Sequence, residues 1–144
     1  MNRLLTVCTG NICRSPLAEA ALRRACPGRT VSSAGLHALV GHGIDPDSAA
    51  AAATLGLPLS AHSARQLTEE IAREADLILV MQTHHRDEIM HLWPHFTGKT
   101  FLLGQFEAAK EIPDPYRRGA ALHLRAAEMV VQSAALWAQK LERL

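Results

Sequence analysis

A thiol, a guanidinium and a hydroxyl fall within eight residues near the N-terminus: Cys8-Thr9-Gly10-Asn11-Ile12-Cys13-Arg14-Ser15, followed by Pro16. The apolar run Leu4-Leu5-Thr6-Val7 before them reads as a short buried strand. Pro16 suits the first turn of a helix, where its missing N–H costs nothing. The stretch therefore predicts a strand, a tight turn and a helix start. In such a turn the backbone N–H groups of Thr9, Gly10, Asn11, Ile12, Cys13 and Arg14 can face one cup, which is a nest for a tetrahedral oxyanion. The helix N-terminus adds its positive end. Gly10 permits the curve, and Arg14 offers a fork that grips two phosphate oxygens at once. Cys8 lies under the cup in the same positive field, which favours the nucleophilic thiolate. A thiolate beneath a phosphate monoester is placed for in-line attack on phosphorus. An ordinary strand-to-helix turn would explain Gly10 and Pro16, but not why Cys8 and Arg14 bracket it.

A second group stands a hundred residues later: Asp114 between Pro113 and Pro115, then Tyr116. The prolines stiffen the loop and fix the direction of the carboxyl. A phenol leaving group, of pKa about 10, is helped by a proton from a nearby acid, and the resulting carboxylate can later take a proton from water. By itself Asp114-Pro115 is a turn signal; the Cys8 loop is what gives it a chemical reading. No metal is expected, because Cys8 and Cys13 have no evident partners to complete a ligand set. His84, His85, His91 and His95 lie on and after a helix and are expected to face solvent. Glu69, Glu70 and Glu74 read as a solvated helix face. The GKS or GKT ending of a nucleotide-hydrolase loop is absent, as is the glycine pattern of a dinucleotide site. Cys8 and Cys13 share one short loop, so oxidation could join them; Cys26, before Pro27, reads as structural.

The elements that must position these groups follow from the rest of the chain. Its 144 residues are 48% hydrophobic and 20% charged, with a formal net charge of +1. That suits one domain, 1–144, able to bury a core without disulfide staples. Three cysteines do not make a secreted disulfide framework. No basic patch suggests nucleic acid, and the N-terminal apolar run is too short for a signal peptide or a membrane span. The expectation is a cytoplasmic protein. Strands are predicted at Leu4–Val7, Thr30–Ser33, Leu77–Met81 and Thr100–Leu103. Helices are predicted at about Pro16–Ala25, Asp47–Leu55, a short turn after Thr68, Thr83–Leu92 and Ala120–Leu144. Ser15, as N-cap or near-cap, Thr68 and Thr83 are the expected caps. The last helix shows a stripe of Leu122, Ala126, Met129, Val130, Leu136, Trp137 and Leu141. Strands alternating with helices give a three-layer α/β/α fold with a four-stranded parallel, doubly wound (flavodoxin-like) sheet. Ligands in such sheets bind at the C-terminal strand ends, where Cys8 stands.

Cys8-x5-Arg14-Ser15 near the start and Asp114-Pro115-Tyr116 near the end resemble the low-molecular-weight protein tyrosine phosphatases. Ser33-Ala34-Gly35, His62-Ser63-Ala64-Arg65-Gln66 and the strand Leu77–Met81 match as well, so the resemblance spans essentially the whole chain. Glu111-Ile112-Pro113-Asp114-Pro115-Tyr116-Arg117 resembles the bacterial branch that acts on tyrosine kinases of exopolysaccharide or capsule export. The resemblance implies Cys8 as nucleophile, Arg14 as phosphate clamp, Asp114 as general acid and Ser15 as the hydroxyl bonded to the Cys8 thiolate. It also implies a support network of Asn11, Ser33 and His62, and Tyr116 as an aromatic wall of the substrate groove. Departures from the family pattern are His37-Ala38-Leu39, where relatives place an aromatic residue, Arg117 in place of a second tyrosine, and Gln82 in place of an acidic residue.

The reading is therefore a phosphotyrosine hydrolase working through a phosphocysteine, without cofactor. Its expected partner is a phosphotyrosine protein, such as a bacterial tyrosine autokinase, and its default state is monomeric. One alternative is a thiol-dependent arsenate reductase, but no cysteine follows Cys26 to act as a resolving thiol. The other is a phosphopeptide- or oxyanion-binding module without turnover, against which both Cys8 and Asp114 argue.

Overall fold

Leu77 to Met81 are all fully buried, as a strand covered on both faces must be. The computed structural model describes residues 1–144. Its strands are β1 (Arg3–Cys8), β2 (Thr30–Gly35), β3 (Leu77–Val80) and β4 (Thr100–Leu102); its helices are α1 (Arg14–Ala25), α2 (Pro46–Thr54), α3 (Glu69–Glu74), α4 (Thr83–Leu92) and α5 (Ala120–Glu142). The sheet runs β2-β1-β3-β4 and every pairing is parallel, which is the doubly wound arrangement expected. The chain leaves β1 first towards β2 and later returns on the other side with β3. The reversal lies beside the C-terminal end of β1, and there the loop after Cys8 emerges.

The period-two alternation of strands sorts the core. Leu4 and Cys8 of β1 and Leu77 and Leu79 of β3 pack with α1, α2 and α5 through Leu17, Leu22, Ala52, Val130 and Trp137. Leu5, Val7, Ile78 and Val80 face the opposite layer, with Ala72 of α3, Ile89 of α4 and Phe96. Each such fully buried Leu, Ile or Val contributes about 1.5–3 kcal/mol, so β1 is held by both layers. No helix is long and apolar enough to cross a membrane.

Several boundaries differ from expectation. Helix α1 begins at Arg14, with Cys13 as N-cap and no side-chain cap bond, so Ser15 lies inside the first turn and caps nothing. Its N-terminal donors are left for another acceptor. Asp45 caps α2, accepting from the N–H groups of Asp47 and Ser48 at 3.0 and 3.4 Å, with Pro46 opening the helix. Thr68 caps α3 as predicted. Gln82, rather than Thr83, caps α4, in a reciprocal box with His85. A 3₁₀ turn over Pro94–Lys99 follows α4. On α5 the buried face is His123, Ala126, Ala127, Val130, Ser133, Ala134, Trp137, Ala138 and Leu141, while Leu122, Met129 and Leu136 are only half-buried. The stripe is rotated because small residues let α5 lie close to α1 and α2.

Candidate active site

The loop after β1 is fastened from outside by its carbonyls. Cys8 O accepts from Leu36 N, Thr9 O from His37 N and Gly10 O from Leu39 N, each at 3.0 Å, and Ile12 O accepts from Asp45 N at 2.9 Å. Asn11 O accepts from His62 Nε2 at 2.6 Å. The N–H groups of Thr9 to Cys13, by contrast, donate to no protein acceptor. Five consecutive donors beside a helix N-terminus suit an oxyanion. Gly35 at the end of β2 allows this packing, because a Cβ there would come within 2.5 Å of Thr9 O.

Asn11 sits at φ +59°, a left-handed conformation that asparagine tolerates better than most residues. Its side chain is fully committed. Nδ2 donates to Ser15 Oγ at 2.9 Å and Ser33 Oγ at 3.0 Å, and Oδ1 accepts from Arg65 N at 2.9 Å. Since Ser15 Oγ accepts from Asn11, its own proton is free for Cys8 Sγ, 2.9 Å away. Asn11, Ser33 and His62 thus stand together, and Ser15 touches the sulfur.

Arg14 is 2% exposed. Its Nη1 donates to Gln82 Oε1 at 2.6 Å and to Ile112 O at 2.8 Å. Its Nε has no partner, and Nη2 has Asp114 Oδ2 at 3.7 Å. One edge of the guanidinium is anchored, and the Nε–Nη2 edge is available to two oxygens of an anion. Gln82 therefore has a definite place: it aims Arg14.

His85 corrects the expectation of a solvent-facing histidine; it is 1% exposed. Its Nδ1 accepts from Gln82 N at 3.1 Å, so Nε2 carries the proton and donates to Thr9 Oγ1 at 2.9 Å. Burial, with the Arg14 cation as a lesser cause, pushes its pKa down to about 3, so the ring is neutral at pH 7. His84, His91 and His95 are exposed as expected. The sequence signal for His85 is its position three residues after Gln82, the spacing of a capping box. Burial pushes the Cys13 thiol up to about 12, so at neutral pH it is no thiolate.

A cavity of about 160 Å³ is lined by Cys8, Thr9, Gly10, Ile12, Cys13, Arg14, His37, Leu39, Asp114 and Tyr116. Asp114 and Tyr116, remote in sequence, close one side, and Tyr116 N donates to Asp114 Oδ1 at 3.1 Å. Arg117 stacks over the Tyr116 ring at 5.0 Å. Ile12, Leu39 and Tyr116 make the upper wall largely apolar, while the floor is sulfur, amide and guanidinium. His37 pairs with Glu88 on the rim at 3.0 Å. A wider cleft lined by Glu19, Arg23, Arg24, Ser60 and His62 contains no cysteine.

Residues 3–144 match the model of the family described as low molecular weight phosphotyrosine protein phosphatase. The low molecular weight protein-tyrosine-phosphatase Etp of Escherichia coli K12 is 45% identical over 142 residues, 99% of this chain and 96% of Etp. The crystal structure of the tyrosine phosphatase Wzb from Escherichia coli K30 in complex with sulphate superposes with a TM-score of 0.94 at 41% identity, covering 97% of this chain and 98% of Wzb. The YwlE arginine phosphatase from Geobacillus stearothermophilus gives a TM-score of 0.91 at 33% identity, covering 99% of this chain and 94% of YwlE.

Proposed function

The chain belongs to the low molecular weight phosphotyrosine protein phosphatase family, and from that premise we propose that it hydrolyses phosphotyrosine through a phosphocysteine formed on Cys8. The supporting observation is convergence on one cavity: Cys8, the unpaired loop donors, the open edge of Arg14 and the Asp114 carboxyl. Phosphate oxygens occupy the loop N–H groups and the Nε–Nη2 edge. Cys8 Sγ attacks phosphorus, the bond to the phenolic oxygen breaks, and Asp114 delivers a proton to that oxygen. Water then attacks phosphorus, Asp114 takes its proton, and the S–P bond breaks with the electron pair on sulfur. The Ser15 hydroxyl stabilises that leaving thiolate. Charge builds up on phosphate oxygens held by fixed amides and a fixed guanidinium, so the electrostatic stabilisation comes from groups oriented before substrate arrives.

The apolar wall of Ile12, Leu39 and Tyr116 favours an aryl ring above the phosphate. It offers a phosphorylated guanidinium, the substrate type named for YwlE, little to bond. The finer reading is a cytoplasmic, monomeric enzyme acting on a bacterial tyrosine autokinase of polysaccharide export; it rests on the sequence resemblance. Turnover of a phosphotyrosyl peptide, a phosphoarginyl peptide and arsenate separates the substrate classes. Hydrolysis of the phosphotyrosyl peptide is expected, with Cys8→Ser lowering kcat by at least about 10³-fold while retaining peptide binding. Preferential cleavage of phosphoarginine, or a Cys8→Ser protein of undiminished turnover, overturns the reading.

A further inference from the structure

Behind the phosphate loop, on the face of Cys13 turned away from substrate, is a buried polar cluster that the catalytic steps do not use. The Cys13 sulfur, an Asp45 carboxylate oxygen and a His123 ring nitrogen all lie within 4.8 Å of one another. They come from three elements: the start of α1, the cap of α2 and the first turn of α5. His123 is 1% exposed. Its Nδ1 meets Ser48 Oγ at 2.9 Å. When Ser48 Oγ accepts from the His123 Nδ1–H, His123 Nε2 presents a lone pair.

That Nε2 has no hydrogen-bond partner although it is buried. It faces Asp45 Oδ1 at 3.8 Å and Asp47 Oδ2 at 4.0 Å. A lone pair turned towards two carboxylates is unfavourable without a cation between them, and an orphaned buried nitrogen is costly in its own right. One sulfur, one imidazole and carboxylate oxygens form the donor set that zinc or cobalt takes tetrahedrally. The Ser48 hydroxyl can accept from Nδ1–H and so serve as the outer partner of a histidine that ligates through Nε2. With metal–sulfur bonds near 2.3 Å and metal–nitrogen bonds near 2.0–2.1 Å, closure asks the side chains to move by about 1 Å.

We infer that Cys13, Asp45 and His123, with Asp47 at the solvent edge, form a binding site for a divalent transition metal of the zinc or cobalt type. Binding replaces the Cys13 S–H proton by the metal, and that proton goes to solvent. The ion ties the phosphate loop to α2 and α5 from behind, through Cys13, which also borders the substrate cavity. The inference does not depend on the phosphatase reading.

The test uses full-length protein carrying Cys8→Ser, so that the sulfur of the front cavity cannot bind metal. Cobalt(II) is titrated while thiolate-to-cobalt charge-transfer absorption and proton release are recorded. One equivalent of cobalt is expected to raise the absorption and release a proton. Adding His123→Gln or Cys13→Ser should abolish the band, and Ser48→Ala should weaken binding about 10–100-fold. A His91→Gln control, at an exposed ring away from both sites, should change nothing. The absence of a charge-transfer band, or a band of equal affinity in the His123→Gln protein, overturns the site. His123→Gln keeps the test open should Cys13→Ser fail to fold.

Discussion

The two loops that form the proposed catalytic site are held in opposite ways. Between Cys8 and Ile12 every carbonyl accepts a bond from the surrounding scaffold, and Asn11 and Ser15 are fully buried. The loop that carries Asp114 is fastened before its working residue, by Ile112 N to Met81 O at 3.0 Å and by Arg14 to Ile112 O. The Asp114 side chain itself is 46% exposed and holds Arg14 only at 3.7 Å. The anion site is thus organised during folding, and its ordering cost is met before substrate binds. As the proposed acid, Asp114 has room to follow the leaving group. Loss of the acid should therefore spare binding, whereas loosening of the cup should harm binding and chemistry together.

The largest effect that tests this contrast is Asp114→Asn. We expect kcat on a phosphotyrosyl peptide to fall about 10²–10⁴-fold, with KM changed little. The loss should shrink for para-nitrophenyl phosphate, whose leaving group needs less help from a proton. An equal loss on both substrates would mean that Asp114 acts on the cup through Arg14 rather than as the acid.

Asn11→Ala probes the other side of the contrast. It removes three side-chain bonds and leaves a left-handed backbone position to a residue that tolerates it poorly. Each buried group left unpaired costs about 1–3 kcal/mol. The variant should lose thermal stability, and kcat/KM should fall about 10–100-fold, with phosphate inhibition weakened in parallel. Unaltered phosphate affinity beside a reduced kcat would show that the cup does not need its outer ties.

The same division explains what was legible in the sequence. That Cys8, Arg14 and Asp114 meet in one cavity could be read directly, because the chemistry proposed for them is tied to residue type and to a spacing that leaves few alternatives. The sheet was legible from continuous apolar runs such as Leu77–Met81. Helix starts were less so: Ser15 looks like a cap, but a helix end that serves an anion leaves its donors uncapped, and the hydroxyl is used on sulfur instead. On α5 the contacts are made by alanines, His123 and Ser133, which carry little hydropathic signal, so the eye follows Leu122, Met129 and Leu136. His85 was hidden among four nearby histidines of similar local composition. Apart from its capping-box spacing from Gln82, the tertiary placement of α4 over Thr9 is what separates it from the exposed His84.

His85 gives the smallest and most specific prediction, because it belongs to the rigid side and titrates. In the folded protein its pKa is pushed down to about 3 from 6.5, so on acidification the unfolded chain takes the proton first. Its contribution to stability is therefore complete above pH 6.5 and is lost progressively as pH falls towards about 3. The slope owed to one such proton is about 1.4 kcal/mol per pH unit. Protonation would also deprive Gln82 N of its acceptor and place a second cation beside Arg14, so the acid-sensitive part should be the anion cup rather than the Asp114 loop. Glutamine at this position can accept from Gln82 N and donate to Thr9 without titrating. Denaturant unfolding of wild type and His85→Gln across this pH range should give a slope difference of about one proton, with equal stabilities near neutrality. Identical slopes would mean that His85 is charged in the folded state, and that the bond to Thr9 is made by an imidazolium.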